Sequence, residues 1–166
     1  MSGNGTHAVK PPCGRNLTAT IHGVISMICL GTAFAPALAI LFRHTARAGI
    51  VEIVLLGIAA ATAVSVFCTK CSCRASCAHV LPGLVANILP NRKGPYTVTE
   101  LGAVMVMFAL PALFPQVWLV GNMAFFAAFW ILLAAGAIEI VVYVCARCGN
   151  GFCPVHRIRH QSANTS

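Results

Sequence analysis

The stretch Val98–Val144, VTELGAVMVMFALPALFPQVWLVGNMAFFAAFWILLAAGAIEIVVYV, carries only two charges, Glu100 in its opening turn and Glu139 near its close. Wound as one helix it would reach roughly 70 Å, about twice the hydrocarbon thickness of a bilayer. It must therefore turn back on itself. Pro111, Pro115, Gln116 and the Gly121-Asn122 pair offer the turn, and the stretch reads as two spans, at about 98–119 and 122–144.

Upstream lie two more runs of spanning length. The first, at about 17–42, has no formal charge, and Arg43, His44 and Arg47 follow it as a short polar turn. The second, at about 49–67, carries Glu52 near its start. With 58% apolar and 8% charged residues, against about 25% charged in soluble domains, the chain could not cover a water-facing surface. The fold class expected is an all-α integral membrane protein. Its four transmembrane helices have short loops and two cysteine-rich segments on one face. A polar tail (1–16) precedes the helical region 17–145, a cysteine-rich loop (68–96) interrupts it, and a basic tail rich in Cys and His (145–166) follows. Met1–Asn16 has no apolar core, so no signal peptide is expected.

The net charge of +8 rests on 11 Lys and Arg against three acids. These cations sit between apolar runs, and no basic–aromatic module accompanies them, so lipid headgroups rather than nucleic acid are the expected partner. Four spans put both termini on the side of the long loop. That side holds Lys10, Arg15, Lys70, Arg74, Arg92, Lys93, Arg147, Arg157 and Arg159, while the other holds Arg43 and Arg47. This bias predicts cytoplasmic termini. The acceptor triplets at Asn4, Asn16 and Asn164 pull the other way, since glycosylation would need lumenal termini.

Seven of the nine cysteines fall in two clusters, each directly after a span. The first comprises Cys68, Cys71, Cys73 and Cys77 with His79; the second comprises Cys145, Cys148 and Cys153 with His156, and His160 beyond. A C-x2-C pair on a turn brings two sulfurs to one metal, and two further Cys or His ligands close a tetrahedral zinc site or hold an iron–sulfur cluster. Cys153-Pro154 leans toward iron–sulfur and a Cys3His set toward zinc. Three other fates compete: palmitoylation at juxtamembrane positions, disulfides if the face is lumenal, or no role. In outline the plan resembles the four-helix membrane quinol dehydrogenases, which carry paired C-x3-C-P motifs after their spans. Cys73-x3-Cys77 lacks the proline and Cys148-x4-Cys153-Pro154 has one residue too many, so no residue roles transfer.

Ionisable groups inside spans are functional candidates. Glu139 lies roughly 9 Å below the second cluster and shares a helix face with Tyr143 and Arg147, and His22, Ser26 and Cys29 form a stripe in the first span. Glu100 opens the third span on the same side. His22, Glu100 and Glu139 are expected to converge beneath the cysteine face, with Tyr143 on the Glu139 side; a structural His–Glu pair, or side chains that snorkel to water, is the reading preferred over a proton-relaying or quinone-headgroup pocket. Met105, Met107 and Met123 read as lipid-facing or core rather than as copper ligands.

Close helix packing is expected along Gly31, Ala35 and Ala39, and along Gly57, Ala61 and Ser65. The apolar segment Val80–Pro90 reads as an interfacial or re-entrant stretch. No nucleophile–base set, phosphate loop or dinucleotide fingerprint is present. Expectation therefore falls on a small membrane subunit with metal-bearing cysteines that passes electrons between a quinone and a partner membrane or cytoplasmic protein. The alternative is a structural tetraspan, and a soft-metal carrier using Cys29 is a third possibility.

Overall fold

A computed structural model describes residues 17–71, 74, 77–92 and 94–145. Among them there is no strand, and four helices are long and apolar enough to cross a membrane. The first is α1 (Leu17–His44), 28 residues that continue through Pro36. The second is α2 (Ala46–Ala63), which ends in a π-helical turn at Val64–Cys68. The long loop holds α3 (Val80–Ile88). The third span joins α4 (Val98–Leu113) to α5 (Gln116–Leu119), and the fourth joins α6 (Met123–Ile138) to a second π-helical turn at Glu139–Val144.

Local sequence sets these limits. Thr45 separates α1 from α2 in an extended conformation, and its hydroxyl accepts from Ala48 N at 3.2 Å as an N-cap. Span 2 therefore starts at Ala46 instead of Gly49, and Glu52 lies almost two turns inside it rather than near the water. Thr97 and Glu100 form a reciprocal capping box at the start of α4. Asn122 caps α6 by accepting from Phe125 N at 3.4 Å. The chain reverses at residues 120–122, and the prolines stay within the third span. Pro111 lies inside α4 and Pro115 opens α5.

Span 1 packs against spans 4 and 2, span 2 packs against span 3, and α5 at the end of span 3 touches both α1 and α6. Where spans 1 and 4 meet, Ala33, Ala37, Leu119 and Phe129 make a small core, with the Phe34 ring edge-on to Phe129. Burial of apolar area drives nothing between helices in lipid, so contact depends on small residues that allow close approach.

These residues are not the stripes expected from sequence. Gly31, Ala35 and Ala39 are exposed, as are Gly57, Ala61 and Ser65. A Cβ added to Gly31 or Gly57 would meet no atom within 4 Å. The packed register of α1 is Ala19, Gly23, Ser26, Ala33, Ala37 and Leu41, and that of α2 is Ala48, Gly49, Glu52 and Ala59. In an alanine-rich helix several faces carry small residues at four-residue spacing, so sequence spacing cannot choose between them. The tight approach on span 4 is at Gly136, where a Cβ would stand 3.2 Å from Leu30 and 3.4 Å from Ser26 O. Met105 and Met123 lie on the outside, 73% and 67% exposed.

Candidate functional site

A polar contact between distant parts of the chain joins spans 1 and 4. His22 Nδ1 lies 2.6 Å from Glu139 Oε2. The Tyr143 ring stacks on the imidazole at 4.2 Å between centroids and 9° from parallel. His22 is one turn into α1, and Glu139 opens the π turn that also carries Tyr143. Because span 4 returns antiparallel beside span 1, the two side chains meet at one depth. A π turn is an uncommon local geometry that concentrates at functional sites. Here both even-numbered spans end in one, closed by Thr69 N to Val64 O and by Cys145 N to Ile140 O.

The contact uses Nδ1, which leaves Nε2 as the nitrogen for a second partner. A pair of this kind can exchange a proton with a bound molecule through that second nitrogen. The His22 and Glu139 side chains are each 21% exposed, so a lipid-dissolved molecule can reach them.

Ser26, one turn further along α1, ties this helix to the loop. Its hydroxyl donates to Gly23 O at 2.8 Å, so His79 Nε2–H donates to Ser26 Oγ at 3.2 Å. Gly23 permits the approach, since a Cβ there would stand 2.6 Å from Ala78 O. Burial pushes the His79 imidazole below its usual range.

The sign of the resulting pH effect follows from that direction. The undocked loop binds a proton more readily than the docked one, so docking is strongest above the ordinary histidine value near 6.5 and weakens as pH falls below it. Maleimide labelling of Cys77, two residues from His79, is expected to accelerate as pH drops from about 7.5 to about 5.5, after correction for the intrinsic pH dependence of thiol reactivity. The same scan on His79→Gln is expected to be flat.

Glu100 goes elsewhere, and the expected convergence of two glutamates on His22 is corrected accordingly. Glu100 Oε2 accepts from Lys70 Nζ at 2.6 Å and from Thr97 N at 2.9 Å, while Oε1 accepts from Arg92 Nη2 at 3.1 Å. Two nearby cations and a cap position outcompete a distant neutral imidazole for one carboxylate. The triad closes the loop on itself, together with Tyr96 OH to Phe67 O at 3.1 Å and Arg92 N to Thr69 O at 3.1 Å. Arg74 Nη1 caps the end of α3 at Ala86 O and Leu89 O, 3.2 and 3.1 Å away. On α3, Leu81, Leu84, Val85 and Ile88 are exposed while Gly83 and Ala86 are buried. One apolar face of α3 is thus uncovered by protein.

Of the cysteines, Cys68 ends span 2, Cys145 follows span 4, and Cys71 and Cys77 lie in the loop. His79 bonds Ser26 on span 1 through Nε2. Among the described residues no three His, Cys, Asp or Glu side chains are grouped to hold a metal ion. Cys73, Cys148, Cys153 and His156 lie outside the described residues.

Sequence reasoning passed over two residues. Glu52 is wholly buried in α2, and its signal was an ionisable side chain inside a span. Gly136 gave no distinguishing signal among the small residues of α6. No family model, curated protein or solved structure matches the chain.

Proposed function

We propose that this chain is a small multi-pass membrane subunit that takes electrons from a membrane hydroquinone and passes them to a partner protein. The His22–Glu139–Tyr143 cluster receives the headgroup. The carrying observation is the 2.6 Å His22–Glu139 contact beneath the stacked Tyr143, inside the lipid and at the thiol-bearing end of the bundle. A hydroquinone that loses two electrons must also shed two protons. His22 Nε2 accepts them in turn, releasing each to water before the next. Cys68, Cys71, Cys73 and Cys77, or Cys145, Cys148, Cys153 and His156, would hold the iron–sulfur centre that this reading requires, and such a centre would supply one-electron transfer toward an oxidised acceptor protein. The excess of Lys and Arg on this side supports a cytoplasmic face with both termini on it.

The His79–Ser26 bond favours a second reading. It spends a possible ligand on holding the loop, as expected of a structural tetraspan whose cysteines take zinc, acyl chains or disulfides and present a docking face to a larger membrane assembly.

The test is a visible spectrum and metal analysis of the full chain purified without oxygen, together with hydroquinone-dependent reduction of its chromophore. Broad thiolate–iron absorbance that bleaches with a lipid-soluble hydroquinone is expected, with reduction slowed in both His22→Phe and Glu139→Gln. Colourless protein with stoichiometric zinc, or metal-free protein carrying acyl mass, overturns the electron-transfer reading in favour of the structural one.

A further inference from the structure

At the far end of the bundle, Glu52 has 0% exposure, and neither carboxylate oxygen has a hydrogen-bond partner among the described residues. It lies roughly 9 Å along the axis from the start of α2 at Ala46. An unpaired carboxylate cannot stay charged in such surroundings, because desolvation costs far more than taking up a proton.

On the π turn that follows α2, Cys68 is a half-buried thiol at the opposite end of the span from Glu52. On α1, His22 is engaged by Glu139 at the opposite end, Arg43 and His44 are exposed, and Cys29 is half-buried. On α4, Glu100 is engaged by Lys70 and Arg92. Arg47, on α2 itself, is exposed. None of them hydrogen-bonds Glu52.

A second buried oxygen lies in the same half of the molecule. Gln116 donates through Nε2 to Ala112 O at 2.5 Å, which fixes its amide and leaves Oε1 buried without a partner. Gln116 sits in α5, which packs on α1 and α6 while α4 makes the contact with α2, so its oxygen is a separate orphan and Glu52 stands alone on α2.

We propose that Glu52 is an intramembrane proton-binding site, a carboxylic acid that holds its proton inside the bundle and exchanges it with water at the Arg43–Arg47 turn. The site is independent of the cluster at the other end, so the electron-transfer reading can fail without touching it.

A lipid-soluble carbodiimide tests it directly. The acid passes its proton to a carbodiimide nitrogen, the carboxylate oxygen bonds to the central carbon, and the acyl group then moves from oxygen to nitrogen. The product is a stable N-acylurea, with nothing expelled and no electrons exchanged. The full chain in phosphatidylcholine vesicles is treated with dicyclohexylcarbodiimide and, in parallel, with a water-soluble carbodiimide, and adducts are mapped by peptide mass spectrometry. One lipid-soluble adduct at Glu52 is expected. It should fall away with rising pH and be absent with the water-soluble reagent. In Glu52→Gln the infrared carbonyl band of a protonated acid should also be lost. Wild-type protein labelled only at Glu100 or Glu139, unlabelled, or labelled at Glu52 equally by both reagents overturns the proposal. The wild-type map decides even if Glu52→Gln does not fold.

Discussion

Replacing Gly23 with valine is expected to lift the Ala78–His79 segment off span 1 and destabilise the protein by about 1–3 kcal/mol, the usual range for overpacking a close contact. The first carbon added would already stand 2.6 Å from Ala78 O and 3.0 Å from its carbonyl carbon. Both are backbone atoms and cannot rotate away, so helix or loop must move. Moving the loop breaks the 3.2 Å bond from His79 to Ser26. The readout is labelling of Cys77, expected to rise sharply, while Cys145 on span 4 keeps its wild-type rate. Gly31→Val is the control, because the same addition meets nothing within 4 Å there. Equal effects of the two substitutions would show that valine in α1 is harmful for its own sake and that the Gly23 contact is unimportant.

Breaking the His22–Glu139 pair is expected to have the second large effect. Hydrogen bonds between helices in lipid contribute about 1–2 kcal/mol in model peptides, and often less. This one is short, which puts it toward the top of that range. Glu139→Ala alone is expected to cost about 1–3 kcal/mol, because it also leaves a half-buried imidazole without its acceptor. His22→Phe keeps the ring that stacks on Tyr143 and removes only the hydrogen bond. A double-mutant cycle on these two changes, followed by unfolding in mixed micelles, is expected to return a coupling of about 1–2 kcal/mol. Strict additivity would mean that the 2.6 Å contact contributes nothing and that the spans are held by packing alone.

The two halves of the fold were unequally legible. The four spans follow from apolar length, which is a property of composition and needs no knowledge of neighbours. So does the meeting of His22 with Glu139, given antiparallel spans and two polar groups at equal depth. The packing register was not legible, because Ala35 and Ala37 differ only in what lies opposite them. Glu100 was assigned to the wrong partner because Lys70 and Arg92 come from a loop whose return path along Thr69 and Tyr96 leaves no periodic trace in sequence. The π turns were equally hidden, since each inserts its extra residue without any glycine or proline to mark it. Glu52 was visible as a letter near the start of the second span, but its complete burial was not, because what packs against α2 leaves no trace in the sequence of α2 itself.

The 117 residues between His22 and Glu139 have a consequence during biosynthesis. At about 5–20 residues per second, a ribosome needs roughly 6 to 23 seconds to deliver the glutamate after the histidine has been made. Through that interval the first helix waits in the bilayer with its polar stripe unsatisfied, and the loop bond from His79 to Ser26 is the earlier of its two attachments to form. Nascent chains stalled before the fourth helix would therefore carry a first helix whose His22 has no Glu139 to meet, and emergence of the fourth helix completes the pair.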